Sequence, residues 1–383
     1  MGNEKSYKDG YWNRVTMRIA MFGVKGFPAH GGDQFFIELG RRLVKRGHEV
    51  TIYIRPHYTK RSIDEYEGIK FVLTKGIHSK HLDAITYTTT ALIDSLGKKI
   101  DIFYFYSIGL SIFSFIPRLI GKISVVHNVG LDWKRAKWGY FAKLFLKITD
   151  YSTLFFPNLA FAISKDDVNY YQNKFKKKVS WLPTGVNCEE LVQPEEIYRY
   201  GLSKEDYILY VSRLVPEKGC HYLLEAYEGI MTDKKLVIAG DASVHDDYYH
   251  SLLKRGNERI IFTGYVTGKL LDELYSNAYL FVQPSEIEGL PHSVLQALSF
   301  GRCVLASDIP GNQEALGECG FTFKNKDSRD LKEKVEYLLA NPDIVNSQKK
   351  KSTQHVKENY DWEKIVDNLE NHFFCLINRR THG

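Results

Sequence analysis

The stretch Phe281–Pro310, FVQPSEIEGLPHSVLQALSFGRCVLASDIP, decides the fold of the second half of this chain. The apolar residues from Tyr279 to Val282 predict a short strand, and a polar loop with Glu286 and Glu288 follows. A turn then leads into a predicted helix that ends at Gly301, before the apolar strand CVLAS. Open α/β sheets bind ligands where such loops leave the strands, beside the free N–H groups of a helix N-terminus. An ordinary βαβ unit with a solvated acidic loop is an alternative that this stretch leaves open.

The same strand, loop and helix pattern recurs on both sides of this stretch. The first half opens with MRIAMFGV, a glycine-containing turn, a helix with Phe36, Leu39 and Leu43 on one face, and the strand EVTIYI. A second series begins with DYILYVSRLVPEKGCHYLLEAY and continues through KKLVIAGD and RIIFTGYV. The pattern predicts an α/β fold with two doubly wound parallel sheets.

Composition changes between the two series, at the acidic and irregular segment EELVQPEEIYRYGL. We therefore expect an N-terminal extension over residues 1–16, a first Rossmann-like domain over 17–190 and a second over 191–360. We expect the last segment, 361–383, to be a helix that crosses back to the first domain.

The charge of the chain is unevenly distributed. Residues 1–190 hold 29 basic and 17 acidic side chains, a net charge of +12, whereas the remainder holds 23 and 29, a net charge of −6. This bias indicates an anionic partner, such as a phospholipid surface, a diphosphate-linked substrate or nucleic acid; a generally basic, solvated surface is the alternative. A basic helix is predicted next, with an apolar stripe of Trp133, Trp138, Phe141, Leu144, Phe145 and Ile148. Such a helix can lie in a membrane interface, but we expect its apolar stripe to be core and its lysines to be solvated.

Several features indicate a cytoplasmic protein. The five cysteines show no C-x-x-C spacing, which favours a reducing compartment and no structural zinc. The first sixteen residues lack the apolar core of a signal peptide. The uncharged run Ile102–Pro117 is shorter than the roughly 20 residues that span a bilayer, and predicts a buried strand and helix.

Two loops carry candidate functional residues. The loop from Gly23 to Gly32 lacks the G-x-G-x-x-G order of a dinucleotide site, but Gly31 and Gly32 would let a helix N-terminus approach an oxygen-rich ligand; a tight turn is the alternative. Arg213 and Lys218 follow the first strand of the second series, and their cations suit a diphosphate.

Glu288 follows a later strand of the same series, and the ends of parallel strands meet at one rim. A carboxylate at that rim suits sugar hydroxyls. The alternative for Arg213 and Lys218 is a solvated loop pair.

From these motifs, the chain after Met17 resembles the retaining glycosyltransferases of family 4, which have two Rossmann-like domains that face each other across a cleft, the GT-B architecture. The resemblance rests on GVKGFPAHGG with a helix ending RGHEV, on VSRLVPEKG, on FTGYV and on PSEIEGLPHSVLQALSFGRCVLASDIPGNQE. The opening segment and HNVGLDWKRAKWG look like the bacterial branch for rhamnosyl and related transfers in surface-polysaccharide assembly.

The resemblance implies roles for individual residues. Arg213 and Lys218 would hold the donor diphosphate, Glu288 the transferred sugar, and His127 would face that sugar from the first domain; these four are the expected catalytic residues. The remaining residues expected at the donor are Gly31, Gly32, Gly264, Val266, Gly289, Leu290 and Gln296. For His127, a satisfied core histidine is the alternative.

The sequence departs from the family pattern at one position. The pattern is Glu, seven residues, Glu, and here the second position is Gln296. The family's second Glu holds the ribose hydroxyls, and an amide keeps one acceptor while it loses the strength of a charge-assisted bond. An active enzyme that tolerates Gln, an altered nucleotide preference and a weakened, sugar-binding homologue are the three interpretations, and the retained Arg213, Lys218 and Glu288 favour the first.

The chemistry implied by the resemblance is metal-independent transfer of a hexose from a nucleotide diphosphate sugar, with retained anomeric configuration, to a saccharide or lipid-linked acceptor. No D-x-D triplet is present, and we expect no cofactor besides the donor. We expect no nucleic-acid partner, and expect an anionic membrane surface at the inner face as a further partner. The missing dinucleotide fingerprint disfavours a nicotinamide-dependent oxidoreductase.

Overall fold

The first sheet has eight strands in the order β3-β4-β2-β1-β5-β6-β7-β8. The computed structural model describes residues 16–28, 33–59, 63–79, 82–131, 133, 139–188, 190–242 and 246–381. The strands are β1 (Arg18–Phe22), β2 (Glu49–Ile54), β3 (Glu65–Tyr66), β4 (Ile69–Leu73), β5 (Ile102–Tyr106), β6 (Ile123–Asn128), β7 (Leu159–Ala162) and β8 (Ser180–Trp181). The helices among them are α1 (Gln34–Lys45), α2 (Asp83–Leu96), α3 (Phe115–Leu119), α4 (Tyr140–Phe155) and α5 (Lys165–Phe175). Strand β1 pairs in parallel with β2 and β5, whereas the short β3 is antiparallel to β4.

The second sheet has six strands in the order β11-β10-β9-β12-β13-β14, and its pairings are parallel. Its strands are β9 (Tyr207–Val211), β10 (Lys235–Ala239), β11 (Ile260–Gly264), β12 (Leu280–Gln283), β13 (Cys303–Ser307) and β14 (Phe321–Phe323). The helices are α6 (Cys220–Glu228), α7 (Asp247–Leu253), α8 (Lys269–Asn277), α9 (His292–Ser299), α10 (Pro310–Leu316), α11 (Ser328–Ala340), α12 (Pro342–Asn359) and α13 (Trp362–Thr381).

Strand order in the second sheet reverses beside β9. The chain runs outward from β9 through β10 to β11, and then returns to lie on the other side of β9 as β12. In open α/β sheets this reversal leaves a crevice at the carboxyl ends of the two central strands. The predicted fold, two doubly wound parallel α/β sheets, is confirmed.

Both faces of the second sheet are buried, which explains its uninterrupted apolar strands. Tyr207 and Leu209 of β9 lie in one core, and Ile208 and Tyr210 lie in the core of the opposite face. Successive side chains of a strand point to opposite faces, so a strand covered on both sides must be apolar at every position.

The chain divides into two compact units. One comprises Met1–His127, Ile148–Ala160 and Cys375–Gly383, and the other comprises Asn128–Lys147 and Phe161–Phe374. The core of the first contains Phe22, whose ring stacks on those of Tyr53 and Phe105, with centroids 5.1 and 4.9 Å away. Within the described ranges, no helix is both long and apolar enough to cross a bilayer.

The segment proposed as a linker packs against α8 in the second unit. The backbone N–H groups of Glu195 and Ile197 donate to Glu273 Oε2 at 2.8 and 3.2 Å. The side chain of Glu273 is fully buried, so these bonds supply partners that a buried carboxylate requires.

Two predicted helices differ from the structure. After β5 the chain forms a 3-10 helix, Ile108–Ser114, before the short α3, and Ser107 at its N-cap has a positive φ of 110°. Helix α4 begins at Tyr140, so Trp133 lies outside it, and the predicted helical residue Trp138 lies outside the described residues.

The interpretation of the predicted apolar stripe as core is wrong for Leu144, Phe145 and Ile148, which are 47%, 39% and 56% exposed. Tyr151 and Phe155, further along α4, are 55% and 47% exposed. The buried side of the helix carries mostly small or polar side chains instead: Leu146, Thr149, Asp150, Ser152 and Thr153. Ser111 on the preceding 3-10 helix bonds to this side, with its Oγ 2.5 Å from that of Ser152. Hydrogen bonding therefore decides which face of α4 is covered.

Candidate active site

The candidate site lies at the reversal between β9 and β12. The loop after β9 carries Arg213 and a 3-10 turn, Pro216–Lys218, and the loop after β12 carries Glu286 and Glu288. The parallel pairing of the two strands places both loops at one edge of the sheet. The structure thus brings Lys218 and Glu288 together, as the sequence predicted for this rim.

The two loops are joined by an ion pair and a backbone hydrogen bond. Lys218 Nζ lies 2.5 Å from Glu288 Oε1, and these side chains are only 16% and 9% exposed. The N–H of Glu286 donates to the carbonyl of Glu217 at 2.9 Å. Lys218, the cation predicted to bind the diphosphate, and Glu288, the carboxylate predicted to bind the sugar, therefore neutralise each other's charge.

Gly219 permits the close approach of these loops. Its φ is +71°, and a Cβ built on it would lie 1.9 Å from the carbonyl oxygen of Pro284. Only a residue without a side chain fits both the conformation and the space.

Gln283, the last residue of β12, holds Glu288 from the other side. Its Nε2 donates to Glu288 Oε1 at 3.1 Å and to Ser285 Oγ at 2.7 Å. Its Oε1 accepts from Ser293 Oγ at 3.1 Å, and the whole side chain is buried. Sequence reasoning missed this residue, although an amide at the end of an apolar strand was the available signal.

Arg213 is the accessible cation of the site. Its side chain is 62% exposed, and its Nη2 lies 3.9 Å from Glu217 Oε1, at the limit of an ion pair. The following helix, α6, begins at Cys220, and its N-cap residue, Gly219, offers no side chain to cap its N–H groups. An exposed guanidinium on the loop that leads into such a helix N-terminus is suited to bind an anion.

Glu286 is engaged elsewhere than Glu288. Its Oε2 lies 2.6 Å from Lys326 Nζ, and its Oε1 accepts from Tyr222 Oη at 2.9 Å. Burial would raise the pKa of Glu286, but these two bonds outweigh burial and leave the pKa below its ordinary value. Burial and the same carboxylate raise the pKa of Tyr222 to about 12. Glu286 therefore stays ionised and paired away from Lys218.

The other residues of the second unit that are predicted at the donor lie at the end of β11 and around the start of α9. Gly264 ends β11 with a φ of +70° and open space where a Cβ would lie, and Val266 is half-buried against the core. Leu290 is buried, and a Cβ on Gly311 would lie 2.6 Å from the carbonyl oxygen of Gly289. The position after Glu288 is thus fixed by close backbone packing.

Gln296 lies in the second turn of α9 and is half-buried. Within the described part of the chain, its side-chain amide makes no hydrogen bond, although its backbone carbonyl accepts from Phe300 N–H at 3.2 Å. Its amide is therefore not committed to the folded structure.

His127 belongs to the first unit and is fully buried. Its Nδ1 lies 2.8 Å from Tyr104 Oη, and its ring meets the edges of Phe35 and Tyr106. Its role toward a sugar stays a prediction. The predicted ligand residues Gly31 and Gly32 lie outside the described residues.

One group of possible metal ligands in the described ranges was missed by sequence reasoning. Ligand atoms of His57, His78 and Asp83 lie within 4.8 Å of one another. Both oxygens of Asp83 already have partners, Arg55 Nη1 at 2.5 Å and His57 Nε2 at 3.2 Å. Tyr87 Oη lies 3.1 Å from the other ring nitrogen of His57. We interpret His57 and Asp83 as members of a hydrogen-bond network with Arg55 and Tyr87, against which His78 packs with its ring centroid 3.9 Å from that of His57.

Comparisons with known proteins agree with this architecture. Residues 29–190 match the family Glycosyltransferase Family 4, and residues 193–359 match the family Glycosyl transferases group 1. An uncharacterized glycosyltransferase of Methanocaldococcus jannaschii is 25% identical over 374 residues, 92% of this chain and 96% of that protein.

Other similarities are more limited. The alpha-D-kanosaminyltransferase of Streptomyces kanamyceticus is 30% identical over 152 residues, 38% of this chain and only 39% of that protein's length. The Anabaena protein HepE, solved in complex with UDP and glucose, superposes with a TM-score of 0.78 at 14% identity, over 94% of this chain and 100% of HepE. At that identity the likeness shows the fold.

Proposed function

This chain belongs to the glycosyltransferases of group 1 and family 4 with the GT-B fold, and we propose that it transfers a hexose from a nucleotide diphosphate sugar, with retention, to a saccharide or lipid-linked acceptor. The observation that carries the proposal is the placement of Arg213, Lys218 and Glu288 at the strand reversal. Cell-surface polysaccharide or glycan assembly is the proposed context, and rhamnose or a related hexose the proposed sugar.

The donor is proposed to bind with its diphosphate at the loop after β9. Arg213 and the N–H groups at the start of α6 bind the oxyanions, and Lys218 adds a second cation when it leaves Glu288. The base lies against the backbone at Gly264 and Val266, and the ribose lies at Gln296. His127 is proposed to face the sugar, and Gly31 and Gly32 are proposed to lie at the phosphates and the acceptor.

The proposed reaction exchanges one C–O bond for another on the same face of the sugar. The bond from the anomeric carbon to the phosphate oxygen breaks, the acceptor oxygen bonds to that carbon, and the acceptor proton passes to the departing phosphate. Arg213 and Lys218 stabilise the charge that develops on the leaving group. Fixed cations and a helix N-terminus thereby supply the electrostatic role that a divalent ion serves elsewhere, so we propose a metal-independent enzyme.

A second candidate is a nucleotide-sugar-binding homologue with little or no transfer activity, which Gln296 favours. A panel of UDP, GDP and dTDP sugars, scored by thermal shift, by hydrolysis and by transfer to saccharide acceptors, separates the two. Binding with turnover supports the enzyme, binding that never leads to turnover with any acceptor supports the homologue, and failure of every nucleotide sugar to bind would reject both.

The exposed stripe of α4, defined as Leu144, Ile148, Tyr151 and Phe155, supports a further proposal, peripheral contact with an anionic membrane. The four residues recur at helical spacing on one face, and Lys143 and Lys147 flank them. A helix with exposed apolar residues beside lysines is suited to lie in a headgroup interface. A lipid-linked acceptor would be presented at such a surface.

A further inference from the structure

The Lys218–Glu288 pair poses a problem for a diphosphate ligand. Glu288 Oε1 lies 2.5 Å from Lys218 Nζ, so a phosphate oxygen that binds this ammonium must either draw it away from the carboxylate or share it with the carboxylate. If Lys218 moves to the ligand, Glu288 keeps one side-chain partner within the described residues, Gln283 Nε2 at 3.1 Å. A carboxylate that is 9% exposed is destabilised when its cation is withdrawn.

The contacts around the pair limit movement of the Glu288 loop, which could otherwise bring the unpaired carboxylate to solvent. Gln283 is itself fixed by Ser293, the Glu286 N–H is bonded to the loop of Lys218, and Gly311 packs on the carbonyls of Glu288 and Gly289. Partner exchange at the side chains is therefore easier than movement of the loop.

Two related ligands would affect the pair differently. A nucleoside diphosphate offers oxyanions to Lys218 but no donor to Glu288, and it adds negative charge beside that carboxylate. An intact nucleotide sugar offers the same oxyanions and also hydroxyl groups that can donate to Glu288. Only the intact donor replaces both partners that the pair loses.

We infer that Glu288 competes with the donor diphosphate for Lys218, so that the site favours an intact nucleotide sugar over the nucleoside diphosphate that remains after transfer. The inference rests on the proposed function and deepens it. When the anomeric C–O bond to phosphate has broken and the sugar has left with the acceptor oxygen, Glu288 loses its hydroxyl partners. The carboxylate then reclaims Lys218, and the diphosphate is released.

The test measures two dissociation constants by calorimetry on the full chain, for a nucleoside diphosphate and for its sugar conjugate. UDP and UDP-glucose are the first probes, because the Anabaena fold neighbour was solved with each of them, and GDP and GDP-mannose are the second. We expect Glu288→Gln to tighten binding of the diphosphate about tenfold. The same substitution should tighten binding of the sugar conjugate by less than tenfold, or weaken it. The ratio of the two dissociation constants, which measures the preference for the conjugate, should therefore be smaller in the variant than in the wild type.

A matched control separates competition from bulk charge. Glu286→Gln removes the same charge two residues away, but Glu286 is paired with Lys326 and Tyr222 rather than with Lys218. We expect it to leave the ratio of the two dissociation constants unchanged. Glu288→Ala serves as a second variant, because Gln can still accept a bond from Lys218.

The outcomes are distinguishable. If the wild type binds a pair of probes but neither Glu288 variant tightens diphosphate binding, the inference fails and the proposed function stands. If Glu286→Gln changes the ratio as much as Glu288→Gln, competition for Lys218 is rejected. If the wild type binds no nucleotide or nucleotide sugar of any base, the proposed function fails and this inference with it.

Discussion

At the scale of single residues, Arg213 is expected to contribute directly to binding of the diphosphate. Because its side chain is exposed and only weakly paired with Glu217, it can reach a ligand without breaking a strong contact. Arg213→Ala should weaken nucleoside diphosphate binding by about 1.5 kcal/mol, the lower end for a charge-assisted hydrogen bond. Calorimetry measures the affinities, and Arg199→Ala is the control, because Arg199 is an exposed arginine of the 3-10 helix Glu196–Tyr200 and its loss should leave the affinity unchanged. Equal affinities for Arg213→Ala and the wild type would remove Arg213 from the site.

Gln296 offers a gain-of-affinity prediction. Its amide makes no hydrogen bond within the described residues, so Gln296→Glu breaks no described contact. A carboxylate accepts the ribose hydroxyls more strongly than an amide, and we expect nucleotide binding to tighten by roughly 1 kcal/mol. A 2′-deoxyribose analogue should show a smaller gain. If Gln296→Glu binds both nucleotides as the wild type does, the ribose does not lie at this residue.

Sequence motifs named Arg213, Lys218 and Glu288 as candidates, but they did not describe the contacts of these side chains. Lys218 and Glu288 are 70 positions apart, and their pairing depends on the adjacency of β9 and β12. Gln283 was missed for a related reason, since one polar residue in a buried strand has no motif. Side-chain partners across loops follow from tertiary packing, which a linear pattern does not contain.

At the scale of elements, the close approach of Gly219 to Pro284 predicts a loop-specific effect. Gly219→Ala forces a left-handed residue and a Cβ 1.9 Å from a carbonyl oxygen. Gly268→Ala is the matched control, because Gly268 also has a positive φ, +61°, but no atom within 4 Å of its Cβ position. By urea unfolding, Gly219→Ala should lose at least about 1 kcal/mol more stability than the control. Gly219→Ala should also weaken nucleotide binding. If both variants lose the same amount of stability, the contact between the new Cβ and the Pro284 carbonyl oxygen has no energetic cost.

Glu314 on α10 predicts a pH effect on stability. Its carboxylate accepts from Lys165 N–H, at the start of α5, and from Trp181 Nε1 at 2.7 and 3.1 Å. Burial outweighs these bonds and raises the pKa of Glu314 above its ordinary 4.5. The folded protein therefore holds this proton more tightly than the unfolded chain, and the resulting stability is lost as pH rises through the raised pKa.

Glu314→Gln cannot titrate and provides the comparison. The free energy of unfolding of the wild type, relative to that of this variant, should decline as the pH rises above 4.5. Urea titrations of both proteins over a pH series measure the difference. Parallel profiles would mean that the pKa of Glu314 is the same in the folded and unfolded states.

Helix α4 shows where amphipathic patterns fail as predictors. The pattern gave a helix with an apolar stripe, but apolarity did not determine which face is covered, because Ser111, Ser152 and Thr149 form a buried hydrogen-bonded contact on the other face. The Ser and Thr residues that form such hydrogen-bonded contacts between helices show no regular spacing in the sequence from which the contact could be predicted.

At the scale of the whole molecule, the uneven charge and the exposed stripe predict salt-sensitive association with vesicles. Sedimentation with phosphatidylglycerol-containing vesicles should exceed that with phosphatidylcholine vesicles and should fall as salt rises, because the Debye length shortens from about 10 Å at 0.1 M. Ile148→Asp should reduce binding, whereas Met231→Asp, at a 94% exposed residue of the second unit, should not. Equal binding to neutral and anionic vesicles would contradict the electrostatic part of the proposal.

The two-sheet architecture was the most predictable feature. Apolar runs of about five residues, separated by helical periods, admit few arrangements other than parallel sheets covered on both faces. The order of the strands was not predictable from the runs themselves. Neither β10 nor β12 carries a residue that specifies on which side of β9 it lies.

That order has a consequence for synthesis on the ribosome. A nascent chain that ends before β12 already contains β9, β10 and β11, but one edge of β9 has no neighbour and Lys218 has no Glu288. Pairings between distant segments form late, because the intervening chain must be closed into a loop. The arrival of β12 then covers that edge of β9 and brings in the carboxylate, before β13 and β14 extend the sheet. Pairing of β12 with β9 and formation of the Lys218–Glu288 pair therefore belong to one folding event.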